Sequence, residues 1–537
     1  MGNYQTSDHR GASVLVAQLA ASGLKHVVIS PGSRNAPLTI AFDAHPQIKT
    51  HVVVDERSAA HVALGLGLET GIPAAVICTS GTAAINHGPA MAEAFHHRIT
   101  LISITADRPT SVIEKGHGQS VFQAGVFGKN CKHSIVIDEL EMSDEAIIVE
   151  TAKAFNNASK GTSVHINVPF EEPLYGLLKS SEDLNLIGAS NSIDQNIEIP
   201  EELCKDGAKI LLVAGSIPFY KRRKPTTLLP GICEKFSGLS GQSVIHSADM
   251  LMAHNGGVLP EELAPEIVIT LGTPTLSKSF RNYLISQKPK HFHVGDTGKG
   301  WDTWGELAKT IDADTSLWLE AFEGAEKIDK DFASAWAKLE KSANTDGLPW
   351  SDLKAFDVVL KSTPENARIH LSNSTSARYV QMVDTSLSKT IHCNRGVAGI
   401  DGCTSTAVGN ALNSEAPVVI ITGDVAFQYD LNGLATIDEV PGNLRVVVIN
   451  NGGGEIFRWL DGPESLGLVD KYFETKPRTS VKAAAEYCGL NYFCARNQLE
   501  TQKTMDEMMQ NNAASILEVI TDGLKSTEVY KTILSKK

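Results

Sequence analysis

Two polar segments that follow predicted strands could hold a metal ion together with a phosphate group. Gly423 and Asp424 come directly after the apolar run PVVIIT, and Asn450 and Asn451 follow the run RVVVI. The residues between them suit a crossover that makes the two strands parallel neighbours. A carboxylate and an amide oxygen would then lie at one sheet edge, where hard oxygen ligands favour Mg²⁺. A helix that begins after Asp424 would also direct backbone N–H groups at phosphates.

A third oxygen donor, Glu56, lies at the end of another predicted strand, in VVVDERSAAHVALGLG. The alternative for such a residue is a helix N-terminal position or an ion pair. Glu56 in the first third of the chain and GD…NN in the last third together resemble the pattern of thiamine-diphosphate (ThDP) enzymes. That resemblance implies that Glu56 binds the pyrimidine ring of ThDP and activates it. One departure is Val425, where many members have glycine.

Arginines also recur after predicted strands, and a guanidinium is the natural bidentate partner of a carboxylate. Any single one could be a structural or solvent-exposed arginine. Their shared position at carboxyl ends of strands predicts a site for a substrate with several carboxylates. The four are Arg34 in SPGSRNAPLT, Arg108 in TADRP, Arg378 in SNSTSARY and Arg395 in NRGVAGIDG.

Longer segments carry a more specific resemblance across the first and last thirds of the chain. They resemble the SEPHCHC synthase family (2-succinyl-5-enolpyruvyl-6-hydroxy-3-cyclohexene-1-carboxylate synthase) of the menaquinone pathway. The middle third and residues 461–480 are less diagnostic. The segments are SPGSRNAPLT, DERSAAHVALGLG, TSGTAAINHGPA, TADRP, HINVPFEEPLY, NRGVAGIDG and GDVAFQYDLNGL…VINNGGGEIF.

The resemblance implies a carboligase, a transferase that depends on ThDP and Mg²⁺, with Mn²⁺ as the alternative metal. The reaction would be decarboxylation of 2-oxoglutarate, then 1,4-addition of the succinyl-semialdehyde carbanion equivalent to isochorismate, giving SEPHCHC and CO₂. The family also places the two halves of the cofactor site on different subunits. The resemblance therefore implies a homodimer as the minimum assembly, with a homotetramer as a further option.

The family's site roles carry over by position. Glu56 would activate the cofactor, and Arg395 and Arg34 would act with it in catalysis. The metal ligands would be Asp424, Asn451 and the carbonyl of Gly453. Ile456, Phe457 and Leu460 would form an apolar wall beside cofactor and substrate, although the pattern alone fits ordinary core residues. Lys278 is either a substrate ligand or a surface lysine. The substrate-binding set would be Ser33, Arg34, Arg108, Gln119, Lys278, Ser374, Arg378, Arg395 and Leu460.

Short apolar runs alternate with helix-length segments almost throughout, which predicts parallel α/β sheets. At about 150 residues per domain, 537 residues suggest three or four domains. Three doubly wound domains of the ThDP-enzyme type account for the length: a pyrimidine-binding domain at 1–182, a central domain at 203–345 and a diphosphate-binding domain at 350–537. We expect a polar linker near 180–202 and a charged helical region near 303–345.

Composition limits the partners. The chain has 62 acidic and 48 basic side chains, a net charge of −14. This balance argues against a nucleic-acid partner, although local arginines can still bind a small anion. The sequence shows no secretory signal and no apolar run of bilayer length, so no membrane insertion is expected. Eight scattered cysteines without a CxxC pair are typical of a reducing cytoplasm.

Three other functions stay open at this point. A different ThDP carboligase or 2-oxoacid decarboxylase would share Glu56 and GD…NN, but would not need four arginines. A flavin-dependent relative would need a recognisable FAD-binding middle third, which the sequence does not show. A catalytically inactive ThDP-fold protein would be expected to have lost Glu56, Asp424 or Asn451.

Overall fold

A computed structural model describes residues 4–179, 184–188, 197–295, 300–324, 329–384, 390–459, 461–478 and 480–535. The chain divides into two compact units. Unit 1 comprises residues 1–193, 396–414 and 430–441, and unit 2 comprises residues 194–395, 415–429 and 442–537. The predicted α/β class is confirmed in both units. The three-domain boundaries at 1–182, 203–345 and 350–537 stay a prediction.

The strands are numbered along the chain. In the first third they are β1 (Gln5–Ser7), β2 (His26–Ile29), β3 (Lys49–Val52), β4 (Ala75–Cys78), β5 (Leu101–Asp107), β6 (His133–Val136), β7 (Ser163–Pro169) and β8 (Leu177–Lys179). The middle third has β9 (Ile210–Ala214), β10 (Gly231–Cys233), β11 (Val244–Ile245), β12 (Ile267–Leu271), β13 (Lys290–Val294) and β14 (Leu307–Ile311). The last third has β15 (Arg368–Leu371), β16 (Thr390–Cys393), β17 (Val418–Gly423), β18 (Leu444–Asn450), β19 (Asn491–Ala495) and β20 (Ser515–Ile520).

The α-helices are numbered in the same way. Those before residue 350 are α1 (Arg10–Ala21), α2 (Ala36–Ala44), α3 (Glu56–Thr70), α4 (Thr82–Asn86), α5 (Gly88–His97), α6 (Asp144–Ser159), α7 (Ala248–His254), α8 (Lys278–Gln287), α9 (Thr315–Gly324) and α10 (Lys330–Ala337). The later ones are α11 (Asp352–Ser362), α12 (Thr375–Met382), α13 (Cys403–Asn413), α14 (Asp424–Tyr429), α15 (Asn432–Ala435), α16 (Asp461–Ser465), α17 (Val481–Tyr487), α18 (Gln498–Gln510) and α19 (Gly523–Ser535).

Unit 1 is built on a parallel sheet with the strand order β3-β2-β4-β5-β7-β6. Strands β1 and β8, which precede and follow the strands of this sheet in the sequence, form a separate antiparallel pair. The strand order reverses between β2 and β4. In open parallel sheets, ligands bind outside the carboxyl ends of the strands at such a reversal. The loops after β2 and β4 are therefore the expected ligand loops of this unit.

Unit 2 contains two parallel sheets, a central one and a C-terminal one. Their strand orders are β11-β10-β9-β12-β13-β14 and β16-β15-β17-β18-β20-β19. Numbered within each sheet, the C-terminal order is 2-1-3-4-6-5, the same as that of the unit 1 sheet, whereas the central order is 3-2-1-4-5-6. The first and last thirds of the chain therefore share one sheet topology.

The apolar runs form these strands because both faces of each sheet are covered. Along β9, Leu212 and Ala214 pack into one core cluster, while the alternating Leu211 and Val213 pack into another. A strand buried on both faces needs apolar residues at every position. This is why uninterrupted runs such as ILLVA, and not alternating ones, marked the sheets.

Two organisational predictions need correction or limits. The charged region near 303–345 is not wholly helical, because Leu307–Ile311 forms edge strand β14 beside β13. Four of the five residues of β14 are partly or fully exposed, so this strand lacks the buried apolar run that predicted the others. The predicted linker near 180–202 lies partly outside the described residues. Of its described residues, 184–188 pack within unit 1, where Gln18 exchanges hydrogen bonds with the backbone of Ile187, whereas Ile197 and Ile199 pack on a core cluster of the central sheet. Within the described residues, no helix combines the length and hydropathy needed to cross a membrane.

Candidate active site

The ligand loops of unit 1 meet where its strand order reverses. Gly32, after β2, packs so tightly on Thr79, after β4, that a Cβ at Gly32 would lie 2.4 Å from the Thr79 Cβ. The loop after β4 is in turn covered by Gln119, since a Cβ on Gly81 would lie 3.2 Å from the Gln119 Cα. Ser33 is exposed on the first of these loops. The loop that carries Ser33 and the segment that carries Gln119 therefore both pack on the loop after β4.

Glu56 is the first residue of α3 and is half-buried. The turn before it is fixed by Asp55, whose Oδ1 accepts hydrogen bonds from the N–H groups of Arg57 (2.9 Å) and Ser58 (3.3 Å). This is an N-cap, which sets where the helix begins. The other carboxylate oxygen of Asp55 accepts from Asn432 Nδ2 at 2.6 Å. The position of Glu56 is thus set by its neighbour and by a segment far along the chain.

The two unit 1 arginines have different surroundings. Arg34 is buried, and its guanidinium donates to the Phe170 carbonyl (2.9 Å) and to Glu172 Oε1 (3.0 Å), while its Nε has no hydrogen-bond partner. Arg108 donates from Nη2 to Gln119 Oε1 over 3.4 Å. The structure therefore places Arg108 beside Gln119, as two residues of one site require, and leaves Arg34 partly engaged by protein acceptors.

Asp424 and Asn451 come together in unit 2 because β17 and β18 are parallel neighbours. Asp424 is buried, and its carboxylate accepts from the N–H groups of Val425 (2.7 Å) and Gly452 (3.0 Å). Asn451 Nδ2 donates to Asp352 Oδ2 at 2.6 Å, and Gly453 N–H donates to Asn451 Oδ1 at 3.2 Å. The amide of Asn451 is therefore oriented with its oxygen on the side away from Asp352.

Two of the three residues predicted to form an apolar wall lie in the described segment after Asn451. Gly453 is buried with φ of 151°, and its carbonyl accepts from the Glu455 N–H at 3.0 Å. Ile456 and Phe457 lie on the 3₁₀ segment Glu455–Trp459 and are both partly exposed. The ring of Phe457 packs on that of Phe473, 5.2 Å between centroids. Leu460, the third predicted wall residue, lies outside the described residues.

The two unit 2 arginines follow neighbouring strands, β15 and β16. Arg378, on α12, donates from Nη1 to Asp249 Oδ2 at 2.7 Å. Arg395 donates from Nη1 to Asn373 Oδ1 at 2.6 Å. Both are half-buried, so each guanidinium is held by a protein oxygen while part of it stays accessible. Lys278 is exposed at the first turn of α8.

Three of the six non-glycine residues with positive φ in the described part of the chain lie on these loops. Gln119 (φ 58°), Ser374 (φ 75°) and Ala398 (φ 59°) have positive φ without being glycine. Ser374 precedes α12, and Ala398 lies on the NRGVAGIDG loop. Such conformations cost about 1–3 kcal/mol each and tend to occur at functional sites. The strain supports a ligand-binding role for these loops.

Family models match both ends of the chain. One described as the thiamine pyrophosphate enzyme N-terminal TPP binding domain covers residues 9–127, and one described as the C-terminal TPP binding domain covers residues 374–519. Curated proteins named 2-succinyl-5-enolpyruvyl-6-hydroxy-3-cyclohexene-1-carboxylate synthase match nearly end to end. The protein from Flavobacterium johnsoniae is 34% identical over 97% of both chains, that from Cytophaga hutchinsonii 35% over 95% of both, and that from Bacteroides thetaiotaomicron 33% over 98% of both.

The chain belongs to the SEPHCHC synthase family. It is a ThDP-dependent enzyme, and the two family models account for the shared topology of the first and last sheets. The predicted family and its cofactor ThDP are therefore confirmed. The middle sheet is outside both models, which agrees with the weak resemblance of the middle third of the sequence.

The donor set at β17 and β18 fits a divalent cation in this family. Burial raises the pKa of Asp424 to about 7, and the nearby carboxyl of Asp352 adds to the rise. A cation would supply the positive charge that keeps such a buried carboxylate ionised. The other donors are an amide oxygen and a carbonyl, which suit a hard cation that keeps positions open for phosphate oxygens. The residues present therefore fit Mg²⁺ with a diphosphate.

Sequence reasoning missed the residues that hold the predicted ones in place. Asp352 orients Asn451, Asn373 holds Arg395, and Asp249 pairs with Arg378. Gln123 joins the loops of unit 1 by accepting from the Gly81 N–H (3.1 Å) and donating to the Ala106 carbonyl (3.0 Å). Only Asn373, directly before Ser374, had a local signal. The others are far in sequence from their partners.

Proposed function

We propose that the protein condenses 2-oxoglutarate with isochorismate, with loss of CO₂, to form SEPHCHC in menaquinone biosynthesis. The observation that carries the proposal is the similarity, at 33–35% identity and over 95–98% of the chain, to proteins named for that product. The arginines that follow β15 and β16 support it, since both proposed substrates carry two carboxylates.

The cofactor site follows from the chain's own donors. Asp424 and Asn451, with the Gly453 carbonyl, would hold Mg²⁺ and through it the diphosphate, with Mn²⁺ as the alternative metal. Bound ThDP supplies the electron sink that a 2-oxo acid needs to lose CO₂. Glu56 would hold a proton at its carboxyl group against the pyrimidine ring. Ile456, Phe457 and Leu460 would keep water from the reacting atoms.

The polar residues of the other loops would hold the substrates. Arg378 and Arg395 present partly accessible guanidiniums, and Arg108 lies beside Gln119, so each pair suits a carboxylate or hydroxyl group. Arg34 would act in catalysis once a substrate carboxylate displaces Glu172 from it. Ser33, Ser374 and Lys278 complete the proposed set. Their task is orientation, which can supply several kcal/mol of rate enhancement.

The proposal also covers the oligomeric state and the cellular compartment. As the resemblance implies, we propose a homodimer at least, or a homotetramer, with each cofactor bound by two subunits, in the cytoplasm. The domain limits 1–182, 203–345 and 350–537 belong to the same proposal. Analytical ultracentrifugation of the ThDP–Mg²⁺ enzyme tests the assembly, and a monomer that turns over substrate would contradict it.

The decisive assay mixes the purified protein with 2-oxoglutarate, isochorismate, ThDP and Mg²⁺ and follows isochorismate absorbance. We expect consumption of isochorismate that requires every component, with CO₂ released in equal amount. If turnover does not depend on isochorismate, the proposed reaction is wrong. Release of CO₂ from pyruvate instead would favour a different 2-oxoacid decarboxylase.

The first prediction concerns Glu56. Glu56→Gln keeps the size of the side chain but removes the titratable proton, so we expect turnover to fall by about 10²- to 10⁴-fold. ThDP affinity, measured by isothermal titration, should change little. The matched control is Glu69→Gln at the other end of α3, where the carboxylate accepts from Asn410 Nδ2 at 3.2 Å. Equal turnover in the two variants would remove Glu56 from its role.

A further inference from the structure

One buried carboxyl group of the central sheet has no place in the site described so far. Glu234 follows β10 directly and is only 3% exposed. Its Oε1 accepts a hydrogen bond from the Leu276 N–H, whereas its Oε2 is buried without a hydrogen-bond partner. A buried carboxylate oxygen without a partner is costly, and in native proteins it usually has a functional reason.

The surroundings of Glu234 point to that reason. It lines a small cavity together with His246, Asp249, Ser277 and Arg378. Burial raises the pKa of Glu234 to about 7, and the charge of Asp249 adds to the rise. The positive charges of Arg395 and, more weakly, Arg378 lower the pKa and so oppose the rise. The free oxygen of Glu234 therefore lies in the field of both arginines that follow β15 and β16.

The second oxygen connects Glu234 to another predicted substrate residue. Leu276, its hydrogen-bond partner, is two residues before Lys278 on the loop from β12 to α8. One side chain of the central sheet is thus tied to the loop that carries Lys278 and electrostatically coupled to Arg378 and Arg395.

We propose that Glu234 is a positioning residue whose buried carboxylate balances the charge of Arg378 and Arg395, and that it takes up a proton from solvent when a substrate carboxylate binds these arginines. The inference rests on the proposed function in so far as these arginines bind substrate. A carboxylate that pairs with the arginines removes the charge that keeps Glu234 ionised, so binding and protonation become linked.

Other titratable groups near Glu234 must be separated from it. Lys235 is the next residue, and burial lowers its pKa to about 7, but its Nζ donates to the Val383 carbonyl. His246 lines the cavity, and burial together with Lys235 lowers its pKa to about 4, so it is neutral at pH 6.5 and above. Asp249 is paired with Arg378. Of the described groups named here, Glu234 and Lys235 are the two whose pKa lies near neutral.

The test measures binding of two stable dicarboxylates, glutarate and chorismate, to the ThDP–Mg²⁺ enzyme by isothermal titration from pH 6.5 to 8.5. For at least one probe, the wild-type Kd should rise about tenfold over this range, the effect of one unit of pKa shift on binding. Glu234→Gln keeps the acceptor for Leu276 but cannot ionise. Its Kd should stay near the low-pH wild-type value at every pH, and its KM for 2-oxoglutarate at pH 8 should fall relative to wild type.

The control is Glu323→Gln, a buried carboxyl on helix α9 of unit 2, which accepts from Thr227 Oγ1 (2.5 Å) and the Leu228 N–H (2.9 Å) ahead of β10. It should lower the melting temperature and leave the wild-type pH profile of binding unchanged. If Glu234→Gln has the same pH profile as the wild type, the inference is wrong and the titration belongs to Lys235. If the wild-type Kd does not depend on pH for either probe, the inference is also wrong. A Glu234-dependent profile without isochorismate turnover would keep the inference and reject the proposed reaction.

Discussion

The unit 1 sheet and the C-terminal sheet share one strand order, yet they support their key carboxylates in different ways. Glu56 follows β3 at the edge of its sheet, is half-buried, and begins a long helix. Asp424 follows β17 beside the reversal of strand order, is buried, and is surrounded by backbone N–H donors. The two carboxylates therefore follow different strands of the same topology, and the local residues determine the burial and the hydrogen bonds of each one.

The difference shows what each carboxylate depends on. The helix of Glu56 packs on α13 within unit 1 at a glycine contact, where a Cβ on Gly65 would lie 2.0 Å from the Thr406 carbonyl oxygen. Asp424 depends instead on charge and hydrogen bonds, since burial raises its pKa and Asp352 adds to the rise. We therefore expect Asp424 to be sensitive to charge and Glu56 to be sensitive to helix packing.

The largest expected effect comes from Asp424→Asn. The change preserves shape but removes the negative charge that we propose binds the metal, so Mg²⁺ affinity should fall at least about 10³-fold, beyond the 10- to 100-fold typical of outer-shell partners. Titration of Mg²⁺ into protein with ThDP, followed by tryptophan fluorescence, measures it. The control is Asp430→Asn, a buried aspartate that accepts from Ser405 Oγ and N–H, both at 2.7 Å. If both variants bind Mg²⁺ alike, Asp424 is not a ligand.

A smaller effect is expected from Asp352→Asn, which tests whether hydrogen bonding alone orients the site. Asp352 accepts from Asn451 Nδ2 (2.6 Å) and Thr521 Oγ1 (2.5 Å), so a neutral amide would hold Asn451 less firmly. Mg²⁺ affinity should fall about 10- to 100-fold. Asp357→Asn on the same helix, where the carboxylate accepts from Thr345 Oγ1 at 2.8 Å, should leave it unchanged. Equal losses in both variants would assign the effect to helix stability.

The sequence predicted the residues at strand ends, but it did not predict the residues that meet their partners through tertiary packing. Asp424 and Asn451 were predictable because their partners are strand-end neighbours with fixed spacing, and a parallel crossover brings such positions together. Edge strand β14 was missed, since an edge strand with exposed charges lacks the buried apolar run. Asp352, Asp249 and Glu234 were missed because each meets its partner through tertiary packing. Periodicity and local motifs carry no signal for these contacts, which span 99, 129 and 42 residues of sequence.

The smallest effect should come from the helix contact of Glu56. Gly65→Ala places a methyl group against the Thr406 carbonyl, so α3 and α13 must separate, at a cost of about 1–3 kcal/mol in the free energy of unfolding. Alanine otherwise favours helices over glycine by about 1 kcal/mol, so a loss reports the contact itself. The control Gly88→Ala on α5 meets no atom within 4 Å and should stay within about 0.5 kcal/mol. The urea midpoint of unfolding measures the stability of both variants.

Turnover should fall only in Gly65→Ala. A stable Gly65→Ala enzyme with full turnover would show that Glu56 does not depend on this packing.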